Sequence, residues 1–273
     1  MKRISLPNVY IVFILLVMYL PILLVIIYSF NESKLNSVWS GFSLHWYSEL
    51  FRDRSMFEAL RNSVVIALIS AALAAVIGTL GAVGLARAKL RGAAAMEYLS
   101  ALPIMVPEII LGMVFLAFFS LIRLPFGMLT LVIAHTAFCI PYILLLVKAR
   151  LSGIDKSYVE AARDLGAGEM RAFFSITLPL IVPAVMSGML LAVAMSLDDV
   201  IISIFVTGVN TNTLPIKIYT QIKTGVTPKT NALCAILFII TIIMGGLSSR
   251  LSNEGLRRVK SRRSLKKEVL NNE

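Results

Sequence analysis

Charge is missing from most of this sequence. Only 15% of its 273 residues are Asp, Glu, Lys or Arg, against about 25% in an ordinary soluble domain, while 58% are hydrophobic. The charges are also clustered. Ile4–Asn31, Asn62–Ala86, Leu124–Val147, Ala172–Leu197 and Thr230–Ser249 contain none, and Tyr98–Ile122 holds only Glu108. A helix of roughly 18 or more uncharged residues is long enough to cross a hydrocarbon core of about 30 Å, so the pattern excludes a soluble globular domain. The runs do not alternate, which excludes the ~10-residue strands of a membrane barrel. Helix then remains as the structure that satisfies its own backbone in lipid.

Other absences narrow the function. Two cysteines, Cys139 and Cys234, both within apolar runs, make neither a disulfide framework nor a metal spacing and read as buried apolar thiols. No G-x-x-x-x-G-K-[ST] segment occurs, so the chain has no P-loop of its own. There is no nucleophile elbow and no metal-ligand cluster. The expectation is a non-enzymatic chain without a cofactor. The two histidines, His45 and His135, are far apart, and His135 reads as a hydrogen-bonded residue between helices. Met1-Lys2-Arg3 before an apolar run resembles a signal peptide, but the run is longer than the 7–15 residues of such a segment and no A-x-A site follows. It reads as an uncleaved first span.

What is present is a basic excess with a direction. The net charge is +11, and eight of the 26 Lys and Arg lie between Arg250 and Lys267, directly after the last run. A basic segment there anchors topology and meets anionic headgroups rather than nucleic acid. Six spans, at about 8-30, 62-86, 98-122, 126-147, 180-206 and 230-250, form one transmembrane domain over 1-273 and put both termini on one side. With that side cytoplasmic, 18 Lys and Arg fall inside and eight outside, as the positive-inside rule requires. The outer loop 31–61 carries Trp39, Trp46, Tyr47 and Phe51, and its stretch His45–Asn62 reads as an interfacial amphipathic helix. Gly78, Gly81 and Gly84 suit close helix packing. Pro103 and Pro107 around Glu108 predict a kink.

The longest inner connection, 148–178, reads Lys156-Ser157-Tyr158-Val159-Glu160-Ala161-Ala162-Arg163-Asp164-Leu165-Gly166-Ala167-Gly168 and continues to Ile176-Thr177-Leu178-Pro179. Helix formers that run into a glycine predict a left-handed residue at the helix C-terminus. On physics alone this is a short helix-turn-helix at the inner surface, either a docking element or a well-capped loop. The spacing E-A-A, three residues, G, nine residues, I-x-L-P resembles the EAA loop of binding-protein-dependent ABC importer permeases, with Glu160, Ala161, Ala162, Gly166, Ile176, Leu178 and Pro179 in register. Tyr19-Leu20-Pro21-Ile22, Ser196-Leu197-Asp198-Asp199-Val200-Ile201-Ile202-Ser203 and Gly225-Val226-Thr227-Pro228 are similar to the second (C-type) permease subunit of spermidine/putrescine importers.

The resemblance implies an all-α type I importer permease whose EAA loop, 157-179, seats on an ATPase. Glu160, Ala161, Ala162, Gly166 and Glu169 would be the coupling residues, and 251-273 a cytoplasmic tail. It implies a homologous second permease subunit, two copies of a P-loop ATPase that bind ATP-Mg, and a soluble periplasmic polyamine-binding protein, all at a bacterial inner membrane. Asp198, Asp199, Glu108, Ser196 and Trp46 are the expected substrate path. Intramembrane acids are costly and mark function or pairing. Asp198 is expected in the outer half of its span and Glu108 near the middle of its own. The acids either line a cation route or pair with a basic residue of the partner permease. Acids rather than bases within the spans disfavour an anion importer. The competing class is a secondary transporter driven by an ion gradient, and a purely structural subunit leaves the acids and the loop unexplained.

Overall fold

The computed structural model describes residues 6–34, 38–87, 92–155, 157–209 and 211–243, and they are helical apart from short connections. The tail 251-273, the end of the last expected span, and Lys2, Arg3, Lys89, Arg91 and Lys156 lie outside the described residues. Among the described residues, four helices are long and apolar enough to cross a membrane, and a sharply bent pair makes a fifth if it is one span. The chain divides into two compact units, residues 1–53 with 221–273, and residues 54–220.

In the first unit, α1 (Leu6–Tyr28) is apolar on every side, as a helix facing lipid or a partner must be. None of its described side chains is buried within the chain. The loop after it turns on Asn31, whose Nδ2 donates to the Val38 carbonyl at 2.8 Å and whose Oδ1 accepts the Ser40 N–H at 3.0 Å. The amphipathic α2 (His45–Arg52) buries Trp46 and Leu50. The expected interfacial helix His45–Asn62 is therefore shorter than anticipated: it stops at Asp53, and residues 54–62 belong to the next long helix. The first unit also holds the apolar helix α12 (Pro228–Ile243), with Lys229 in its first turn. The Lys229 ammonium bonds Asp53 at 2.8 Å and Glu49 at 3.2 Å. Burial alone pulls its pKa down, but these two carboxylates outweigh it and hold it above the ordinary lysine range.

The second unit is built on α3 (Arg54–Arg87), α6 (Met128–Ser152) and α9 (Leu178–Asp198), which pack on one another. At 34 residues and 1.5 Å rise, α3 is ~50 Å long and overruns a bilayer core. The three helices meet where a small residue stands on two of them. A side chain at Gly78 of α3 or Gly188 of α9 would press on Ile143 of α6, at 3.1 and 3.2 Å respectively. Gly81 lies against Leu144, whereas Gly84 faces open space. Two of the three glycines read as packing residues therefore make close contacts.

Two expected spans are broken. The third is α4 (Ala93–Met105) and α5 (Glu108–Leu121), which bend by 107°. Val106 is extended at φ −83° and ψ 131°, because the ring of Pro107 bars a preceding residue from the helical region. The expected kink is thus a full corner. The fifth stops at Asp198; Asp199 is extended at φ −67° and ψ 121°, and a short helix α10 (Ile201–Val206) follows. Gly112 of α5 packs under the ring of Phe205 of α10, so the second halves of the two broken helices lie together. Upstream, the inner connection forms α7 (Ser157–Asp164) and α8 (Glu169–Ala172), then a π-turn over Phe173–Thr177 that runs without a break into α9. Pro179 lacks an N–H, and its ring crowds the carbonyl four residues earlier, that of Ser175. The wider π-turn lies where that carbonyl must be displaced. After α10 comes α11 (Leu214–Thr224).

Candidate functional site

The polar centre of the second unit is assembled at the corner between α9 and α10. Asp199, buried there, accepts the backbone N–H of Ile202 at 3.2 Å and of Ser203 at 2.8 Å. It is thus the N-terminal cap of α10, satisfying donors that a helix start leaves free. The Ser203 hydroxyl donates to the same carboxylate at 2.7 Å. His135, on α6 and 1% exposed, completes the group. Its Nδ1 is 2.6 Å from Ser196 Oγ, and its Nε2 is 3.0 Å from Ser203 Oγ and 3.3 Å from the Asp199 carboxylate. Since Ser203 gives its one proton to Asp199, its oxygen accepts from His135, and Nε2 carries a hydrogen. One imidazole therefore ties α6, α9 and α10 together, as the sequence reading of a histidine between helices anticipated in outline. Ser196 faces this imidazole and is itself buried.

The other acids differ. Asp198 is the last residue of α9 and its side chain is exposed; among the described residues no hydrogen bond or ion pair reaches its carboxylate. Glu108 is likewise exposed. It stands at the break in the middle of the third expected span and opens α5, where a carboxylate complements the helix dipole. Ser196, His135 and Asp199 stand together, but all three are buried and bonded to one another or to Ser203, whereas Asp198 and Glu108 are exposed acids at helix breaks, which suits contact with a cation.

In the connection between α6 and α9, Asp155 Oδ1 accepts the Ser157 N–H at 2.9 Å and starts α7; this bond, with one from the Ser157 hydroxyl, holds the Asp155 carboxyl below the usual range. Gly166 has φ +82°. The Ala167 N–H bonds the Ala162 carbonyl at 2.9 Å and the Gly166 N–H the Arg163 carbonyl at 2.8 Å, which is a Schellman stop. Arg163 and Glu169 close the turn with an ion pair at 2.7 Å. Glu160 and Ala161 are exposed and Ala162 half-buried. Tyr158, Leu165, Met170 and Phe174 are exposed as well, so the turn presents apolar surface beside its charges.

Trp46 is not an exposed ring of the outer loop. It is buried, and its Nε1 donates to the Asn31 carbonyl at 2.8 Å, while Tyr47 reaches Ser29 at 2.7 Å. The rings that face outward in that loop are Trp39, Phe42 and Phe51. The contacts that sequence reading missed are those of His135 with Asp199 and Ser196, elements separated by more than sixty residues.

Comparison with known proteins agrees with this architecture. The description of binding-protein-dependent transport system inner membrane components matches residues 74–258. The chain is 38% identical to the spermidine/putrescine transport system permease protein PotC of Haemophilus influenzae, over 93% of this chain and 99% of that protein. It is 40% identical to the putrescine transport system permease protein PotI of Escherichia coli, over 90% of this chain and 92% of that one. Among solved structures, a bacterial ABC transporter involved in import of the acidic polysaccharide alginate superposes with a TM-score of 0.70 at 15% identity, covering 89% of this chain and 94% of that chain; at that identity the likeness concerns the fold. The chain belongs to the binding-protein-dependent transport system inner membrane components, and is a permease subunit of an ABC importer rather than an enzyme.

Proposed function

We propose that this permease carries small polyamines, spermidine or putrescine, inward across a bacterial inner membrane. It would work beside a homologous second permease, two copies of an ATPase that bind ATP-Mg, and a periplasmic polyamine-binding protein. The observation that carries the reading is the near full-length identity to permeases named for polyamines. The charge pattern supports it: Asp198 and Glu108 are exposed acids at helix breaks, as a route for ammonium groups requires. In this reading the chain crosses the membrane six times, with α12 in the last span, and Glu160, Ala161, Ala162, Gly166 and Glu169 belong to the surface that the ATPase covers. The exposed Tyr158, Leu165, Met170 and Phe174 give that surface its apolar component.

Two measurements test it. In proteoliposomes holding the full complex, putrescine uptake is expected to require ATP and to persist when ion gradients are collapsed; uptake that follows the gradient instead would return the ion-coupled reading. Asp198→Asn and Glu108→Gln keep size and hydrogen bonding but remove charge, and each is expected to cut uptake on the order of tenfold, about 1.4 kcal/mol, with assembly and ATP hydrolysis retained. Normal uptake in both variants would remove them from the path. Orientation is read separately. A lone cysteine at position 164 is expected to resist an impermeant thiol reagent added outside, and one at position 223 to react; the opposite result reverses the topology.

A further inference from the structure

Two neighbouring acids need not do the same work, and here their surroundings differ completely. A carboxylate offers about four lone-pair positions. Asp199 Oδ2 accepts the Ser203 N–H and O–H at 2.8 and 2.7 Å and lies 3.3 Å from His135 Nε2, while Oδ1 accepts the Ile202 N–H at 3.2 Å. It is 8% exposed, so the carboxylate is turned into the protein and away from an ammonium group. Asp198 is exposed and bonded to no described residue. Its direction is set by the corner that follows it, because the backbone leaves the helix at Asp199. That corner is held from α6, through His135, on both flanks: Ser196 before it and Ser203 after it.

We propose that Asp199 is withdrawn from the cargo and forms, with His135, a positioning pair that fixes the corner at which Asp198 meets the polyamine. This rests on the reading that Asp198 lines the polyamine path. Ser196, in consequence, serves the pair rather than the cargo. The removal of either member leaves the other buried with a bond unmade, so the corner should lose its definition in either case, and Asp198 should lose its aim.

The test uses the assembled transporter in proteoliposomes, with labelled putrescine as probe and initial rates taken over a range of concentrations. His135→Leu and Asp198→Asn are each expected to raise KM for putrescine by about tenfold per assembled complex, and the double variant to be no worse than Asp198→Asn alone, since residues that act through one another are not additive. His135→Gln, which keeps a donor, is expected to recover part of the loss. If the effects of His135→Leu and Asp198→Asn multiply, or if His135→Leu lowers only the amount of complex and leaves KM untouched, the positioning role is wrong. A tight putrescine KM in Asp198→Asn itself would instead bring down the path reading, and this assignment with it, so the single variant tells the two failures apart.

Discussion

Gly166→Val is expected to abolish most uptake while the subunit still inserts and still pairs with its permease partner. The residue has φ +82°, and no atom lies within 4 Å of where a Cβ would be, so the constraint is conformational and not spatial. A left-handed backbone costs an ordinary L-residue roughly 1–2 kcal/mol, and a β-branched side chain is the worst case. One to two kcal/mol is about a five- to thirty-fold loss of the competent turn. The strain would be relieved by opening the Schellman stop, which releases the Ala167–Ala162 and Gly166–Arg163 bonds and separates Arg163 from Glu169. Asparagine tolerates this region, and Gly166→Asn is expected to keep most activity. Uptake, ATP hydrolysis and recovery of the ATPase with the purified membrane subunits are the measurements. Equal behaviour of the two variants would mean that side-chain bulk at an interface, and not the backbone angle, is what matters at this position.

Gly208→Ala should be the most damaging single methyl in the second unit. A Cβ there would stand 2.2 Å from the carbonyl oxygen of Phe126 and 2.8 Å from its carbon. Both are main-chain atoms of the segment that leads into α6, so no side chain can swing aside. That crossing sits beside the bond from Thr130 to the Val206 carbonyl at 2.7 Å, which ties the start of α6 to the end of α10. Overpacking typically costs about 1–3 kcal/mol, and a backbone obstacle belongs at the upper end. The expected result is a large drop in thermal stability of the detergent-solubilised complex and in recovered protein. Gly84→Ala is the control. It meets nothing within 4 Å and replaces a glycine in the last turn of α3 with the best helix former, a gain of a fraction of the ~1 kcal/mol seen in helix interiors. If Gly208→Ala is as stable as the parent, the close crossing of the two segments is not part of the native structure.

Sequence alone reached the parts of this molecule that follow from local rules. Uncharged runs mark the long helices, and a helix that runs into Gly166 predicts the left-handed angle found there. Pro107 announced a bend, but not that Val106 would go fully extended and turn the chain through 107°. The end of α9 at Asp198 was missed, although a signal was available: Asp199 lies four residues before Ser203, ahead of an apolar stretch, which is the pattern of a helix start. Reading Asp199 as a cap would have separated it from Asp198. Its partner was out of reach, because nothing in the order of residues says that position 135 will stand beside 196, 199 and 203. The placement of Trp46 failed for a related reason. Aromatic residues in outer loops are read as surface anchors, whereas this indole has an internal acceptor in Asn31.

The corners at Val106 and Asp199 carry a consequence for hydration. A peptide group outside a helix keeps donors and acceptors that hydrocarbon does not satisfy, so irregular backbone at membrane depth persists only where it meets protein or water. α5 and α10 already cover one another through Gly112 and Phe205. The free sides of the two corners, which carry Glu108 and Asp198, should therefore be places from which acyl chains are excluded. A line of water drawn through the complex should pass both, and lipid-soluble quenchers should fail at positions 107 and 198 while they succeed along the fully apolar face of α1.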